Sequence, residues 1–193
     1  ELYRVVVRLA ESLRRAGVVQ GDRVAAYMPN LMETAIAMLA TTSIGAIWSS
    51  CGSELGPVAV LDRLSQIEPR VLFAVDGYPY KGKAFHFLPN VEKIASELPS
   101  LETVVVVPYM SEKLDIGSVP KSVLYTDFLS RDSSSELRFE QRDFNHPVYI
   151  MFSSGTTGKP KCMVQGCGVL INHLKELLLH SDVKREDRVF YIT

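Results

Sequence analysis

The chain has 193 residues, 47% hydrophobic and 22% charged, and its 21 Lys and Arg against 22 Asp and Glu leave a formal net charge of −1. That length suits one domain or slightly more, and the near-neutral balance gives no basis for general nucleic-acid binding. The longest apolar stretch, Thr34 to Trp48, is broken by Thr41, Thr42 and Ser43. It falls short of the roughly 20 residues that span a bilayer, so a buried helix is expected in place of a membrane span. Cys51, Cys162 and Cys167 are odd in number and lack CxxC spacing. This pattern favours a reduced, cytosolic chain and argues against a disulfide scaffold or a zinc site. The chain opens at Glu1 without a charged-then-apolar leader, and Arg188 to Thr193 reads as a strand without a following turn. Both ends are expected to be breaks in a longer protein.

Taken in order, Leu2 to Ala16 has a helical apolar stripe, with Gly17 at the C-terminal cap position. Arg23 to Met28 reads as a strand, Leu31 to Ile44 as an apolar helix closed by Gly45, and Ala46 to Ser49 as a second strand. Pro57 is well placed to start a helix over Val58 to Ile67. Val71 to Val75 is a five-residue apolar run of buried-strand type. A helix over Val91 to Leu98 and a strand over Thr103 to Val107 follow, with polar loops at Tyr109 to Val119 and Ser130 to Glu140. After a strand at Val148 to Phe152 and a strand-like Cys162 to Val164, a helix is expected at Leu170 to Leu179 and a strand at Arg188 to Ile192. Alternating strands and helices predict an α/β fold, its largely parallel sheet covered by helices on both faces.

The most informative string joins the two strands near residue 155: Ser153-Ser154-Gly155-Thr156-Thr157-Gly158-Lys159-Pro160-Lys161. Glycines let backbone N–H groups approach a polyphosphate, hydroxyls donate further hydrogen bonds, and lysine supplies charge. A Walker loop is excluded because Pro160 stands where its second glycine is required, and a dinucleotide fingerprint would need glycine at Thr157. An ordinary polar hairpin loop is the alternative, less economical for a string this long with two lysines.

The string resembles the signature loop of the adenylate-forming enzymes, which include acyl-CoA synthetases, luciferases and peptide-synthetase adenylation domains. Ser-Ser-Gly-Thr-Thr-Gly-x-Pro-Lys matches at all nine positions. Similarity to the acetoacetate-activating acyl-CoA synthetases extends over Ser43 to Ser50, Val60 to Ile67, Met151 to Val164 and His173 to His180. One departure is Gln165-Gly166-Cys167-Gly168, where that group continues with His-Ser and a glycine pair. The resemblance implies that residues 1–193 are part of a large N-terminal AMP-binding domain, the rest of which lies outside this sequence together with a small C-terminal domain. It implies a two-step ligase using acetoacetate, ATP with Mg²⁺, and coenzyme A. It also implies that Ser153, Ser154, Gly155, Thr156, Thr157, Gly158 and Lys161 hold the ATP phosphates. Lys161 would stabilise the charge on the departing pyrophosphate, Lys159 being left as a solvated cation.

Lys81, Gly82 and Lys83 resemble a basic Arg-x-Gly-Arg element of the acetyl-CoA synthetase group and would receive the nucleotide end of coenzyme A; the plain reading is a solvated loop. Trp48 and Asp62 are expected to be structural. His86, His146, His173 and His180 have no metal-ligand spacing, and no metal site is expected. His146 is expected to cap the strand entering the loop, and Cys162, with Met163 and Val164 beside it, to be an inert buried thiol. Two alternatives stay open: a synthetase for acetate, propionate or another short acid, and a non-catalytic nucleotide- or phosphate-binding module.

Overall fold

The first helix, α1 (Leu2–Arg15), buries Val6, Leu9, Ala10 and Leu13 and ends as its sequence predicts. Gly17 adopts φ +79°, and the N–H groups of Gly17 and Val18 donate to the carbonyls of Arg14 and Leu13. That is a Schellman closure, which glycine enters without Cβ strain. The chain continues through β1 (Arg23–Tyr27), α2 (Met32–Ser43), β2 (Ile47–Cys51), α3 (Pro57–Ile67) and β3 (Val71–Val75). A hairpin, β4 (Gly77–Tyr80) and β5 (Lys83–His86), precedes α4 (Leu88–Glu97), β6 (Thr103–Val107), β7 (Ser122–Leu124) and α5 (Tyr125–Phe128). The last elements are β8 (Pro147–Ser153), β9 (Lys161–Gly166) and α6 (Gly168–Lys175), which runs on into a π-helical turn at Glu176–His180. This computed structural model describes residues 1–131, 136–153 and 158–190.

Seven strands form one sheet in the order β7-β6-β3-β1-β2-β8-β9, all parallel to their neighbours except β9, which runs antiparallel to β8. From β1 the chain steps to β2 on one side, whereas from β3 it steps to β6 on the other. Right-handed crossovers therefore put α2 on one face and α4 on the opposite face. The packing agrees, with α1 against α2 and α3 against α4. Central strands read as continuous apolar runs because helices cover both of their faces, and all five residues of β3 are buried.

Three local expectations change. Gly77–His86 is a hairpin and not an open loop, because Lys81 (φ +48°) and Gly82 (φ +75°) form a two-residue turn whose twist suits paired strands. Cys162 is exposed, because among the described strands β9 lies at the sheet edge and pairs with β8 on one side. Of the strand expected at Arg188 to Ile192, residues 188–190 have no strand pairing among the described residues, and 191–192 lie outside them.

Candidate phosphate-binding loop

The loop begins at the carboxyl end of β8 and ends at the first residue of β9, where Ser153 and Lys161 face each other across the antiparallel pair. The carboxyl ends of parallel strands are where open α/β sheets bind ligands. Val148 and Ile150 anchor β8 in the core, and the Ser49 hydroxyl of β2 donates to the Ile150 carbonyl at 2.8 Å. Gly158 adopts φ +102° with open space where a Cβ would stand. Lys159 and Lys161 are exposed cations, available to an anion. Ser154, Gly155, Thr156 and Thr157 lie outside the described residues.

Gln66, on α3, had no signal in the sequence beyond its helical position. Its side-chain amide donates to the Pro160 carbonyl at 3.0 Å, and its Oε1 lies 3.6 Å from the Cys162 thiol. It ties a helix of the core to the base of the loop. The histidines serve structure where contacts are seen: His146 Nε2 donates to the Gly45 carbonyl at 3.0 Å, holding the entry to β8 against the end of α2. Among the described residues no three His, Cys, Asp or Glu side chains come together as a metal site. Among the described residues no helix is long and apolar enough to cross a membrane.

Lys81 and Lys83 stand exposed on the β4–β5 hairpin, with the Lys81 ammonium 5.3 Å from the centre of the Tyr80 ring. The hairpin follows β3 and the loop follows β8, with β1 and β2 between them. Strand spacing alone separates the two by roughly 14 Å. The base of the hairpin packs at the end of β1, which pairs with β3 where the direction of chain winding reverses. Tyr27, the last residue of β1, stacks on Phe87 at 5.4 Å, and Tyr78 packs on Phe87 at 5.1 Å. The Tyr27 hydroxyl donates to the Leu55 carbonyl at 2.7 Å, and burial raises its pKa. Beside it, burial pushes the Cys51 thiol from 9.0 up to about 11, so that this cysteine stays protonated and inert at neutral pH.

Asp76, the residue after β3, is buried, and its carboxylate accepts the backbone N–H groups of Tyr109, Met110 and Ser111 at 2.8–3.1 Å. It ties the end of β3 to the loop after β6. An aspartate closing an apolar strand was a signal that could have marked it, since a buried carboxylate needs several donors.

A family described as AMP-binding enzyme matches residues 1–193. The chain belongs to the AMP-binding enzyme family. Among curated relatives, acetoacetyl-CoA synthetase of Xenopus tropicalis is 46% identical over 100% of this chain and 30% of its own length. A malonamoyl-CoA synthetase of Penicillium aethiopicum is 39% identical over 100% of this chain and 28% of its own. The solved structure of acetoacetyl-CoA synthetase from Streptomyces lividans superposes with a TM-score of 0.92 at 41% identity, covering 100% of this chain and 29% of that one. The AMP-binding chain described here thus spans about 30% of the length of the curated relatives it matches.

Proposed function

We propose that residues 1–193 are part of the AMP-binding domain of an acid–thiol ligase that joins acetoacetate to coenzyme A through an acyl-adenylate. One observation carries the reading: in a chain of the AMP-binding family, the Ser/Thr/Gly/Lys string joins the carboxyl end of parallel strand β8 to β9. In the first step a carboxylate oxygen attacks the α-phosphorus of ATP, and pyrophosphate leaves with the electron pair of the broken P–O bond. In the second, the coenzyme A thiolate attacks the acyl carbon and AMP leaves. No side-chain nucleophile takes part. Hydroxyls of Ser153, Ser154, Thr156 and Thr157 donate to the phosphates, and Gly155 and Gly158 let the backbone approach. Lys161, with the Mg²⁺ that accompanies ATP, offsets charge as pyrophosphate departs. Lys81 and Lys83, presented by the turn at Gly82, meet the phosphates at the nucleotide end of coenzyme A.

The acid is favoured as acetoacetate over acetate or propionate because the names of two relatives, acetoacetyl- and malonamoyl-CoA synthetase, both describe acyl groups with a carbonyl on the third carbon. The remainder of the AMP-binding domain and a small C-terminal domain would complete the enzyme, with the cytosol as its compartment. Free cysteines at 51, 162 and 167 support that location.

The test is pyrophosphate release by the full-length protein with ATP and a panel of short carboxylic acids. Acetoacetate is expected to give the fastest release, and Lys161→Ala combined with Thr157→Ala to abolish it. Faster release with another acid keeps the mechanism and changes the substrate. No release with any acid leaves only a phosphate-binding module.

A further inference from the structure

Lys161, whose charge matters in the proposed reaction, is the first residue of β9 and follows Pro160 directly. Among the described residues β9 pairs with one strand, β8, so the exit of the loop has a single neighbour in the sheet. Gln66 gives that exit a second attachment. It stands on α3, whose Val60, Leu64 and Ile67 are buried in the core. The backbone that carries Gln66 is therefore fixed by packing that does not involve the loop.

Both ends of the Gln66 amide are engaged. Its Nε2 donates to the Asp62 carbonyl of its own helix at 2.6 Å and to the Pro160 carbonyl at 3.0 Å. Its Oε1 lies 3.6 Å from the Cys162 thiol, a weak donor. Carbonyls only accept, so the amide nitrogen must face the two of them and the oxygen must face the thiol. Pro160 and Cys162 are the residues on either side of Lys161. One side chain of the core helix thus holds the chain both before and after the lysine. Successive side chains of a strand take opposite faces, so a Cys162 turned toward α3 sends the Lys161 ammonium to the other face, clear of that helix.

We propose that Gln66 is a positioning residue for the departure of pyrophosphate: by fixing Pro160 and Cys162 it sets where the Lys161 ammonium stands. This role rests on the ligase reading above and adds to it a residue 94 positions from Pro160, outside the Ser153 to Lys161 string. Misplacing a reacting or charge-stabilising group by about 1 Å can cost up to about 10²-fold in rate. Loss of one attachment while the pairing with β8 remains should cost less.

The test is pyrophosphate release by the full-length protein with ATP and the best acid of the panel. Gln66→Met keeps the length of the side chain and removes both donors. It should lower kcat/KM for ATP roughly tenfold, with the KM for the acid and the urea midpoint unchanged. The double variant separates the possible roles. If Gln66 acts through Lys161, Gln66→Met should slow the Lys161→Ala protein by less than about twofold, whereas an independent or structural role would repeat the tenfold loss there. Three results overturn the proposal: release unchanged in Gln66→Met, a full tenfold loss repeated in the Lys161→Ala background, or a loss that follows a lowered urea midpoint. Each of them leaves the ligase reading standing. No release by the unmodified protein with any acid overturns that reading and this proposal together.

Discussion

Val71–Val75 and Lys161–Gly166 are strands of one sheet, yet every residue of β3 is buried and no residue of β9 is. β3 lies between β1 and β6, under helices on both faces, whereas among the described residues β9 is the edge strand and pairs only with β8. The following helix, α6, buries none of its residues, and Ile171, Leu174 and Leu178 face solvent. Apolar residue type is therefore not enough to make a core. A strand is buried by its neighbours, and among the described residues β9 has one, β8.

The contrast can be broken first by truncating a central side chain. Phe73, fully buried and edge-on to Phe128 at 6.4 Å, is expected on substitution by alanine to cost about 3–5 kcal/mol in urea unfolding. A cost near zero would mean that the central strands are not the stable half. Asp76→Ala strips three backbone N–H groups of their acceptor and should cost about 3 kcal/mol, with faster hydrogen exchange at Tyr109 to Ser111.

A pH dependence sharpens the comparison. The folded chain holds the Cys51 proton up to about 11 whereas the ordinary thiol releases it near 9.0, so the folded state binds more protons between those values. Stability from this group is complete below pH 9 and is lost as pH rises toward 11, by about 3 kcal/mol at most. Cys51→Ala should flatten that part of the stability curve, whereas Cys162→Ala, at an exposed thiol, should not. If the two variants follow the same curve, burial does not control the thiols.

Gly82→Ala should cost about 1 kcal/mol through its positive φ alone, since nothing stands within 4 Å of an added Cβ. The smallest effects belong to β9. Val164→Ala and Lys161→Ala should each change stability by less than about 0.5 kcal/mol. Lys161→Ala alone should nevertheless slow pyrophosphate release by roughly 10²-fold, the loss seen when one charge-stabilising donor is removed. Equal loss of stability and activity in Lys161→Ala would make it a structural residue.

Sequence alone determined the order and type of the main elements. Apolar periodicity and caps act within a few residues: Gly17 and Gly45 end α1 and α2 because glycine enters a left-handed conformation freely, and Pro57 opens α3 because its missing N–H has no helical partner to lose. The proposed role of the nine residues from Ser153 to Lys161 is likewise argued from local sequence, because hydroxyls, glycines and lysines in one run suit a phosphate. Only the tertiary structure decided what depends on partners distant in sequence. It set Gln66 against Pro160, and Asp76 against three amides more than 30 residues away. It also exposed Cys162, whose apolar neighbours suggested burial, because strand order and not composition chooses which strand lies at the edge.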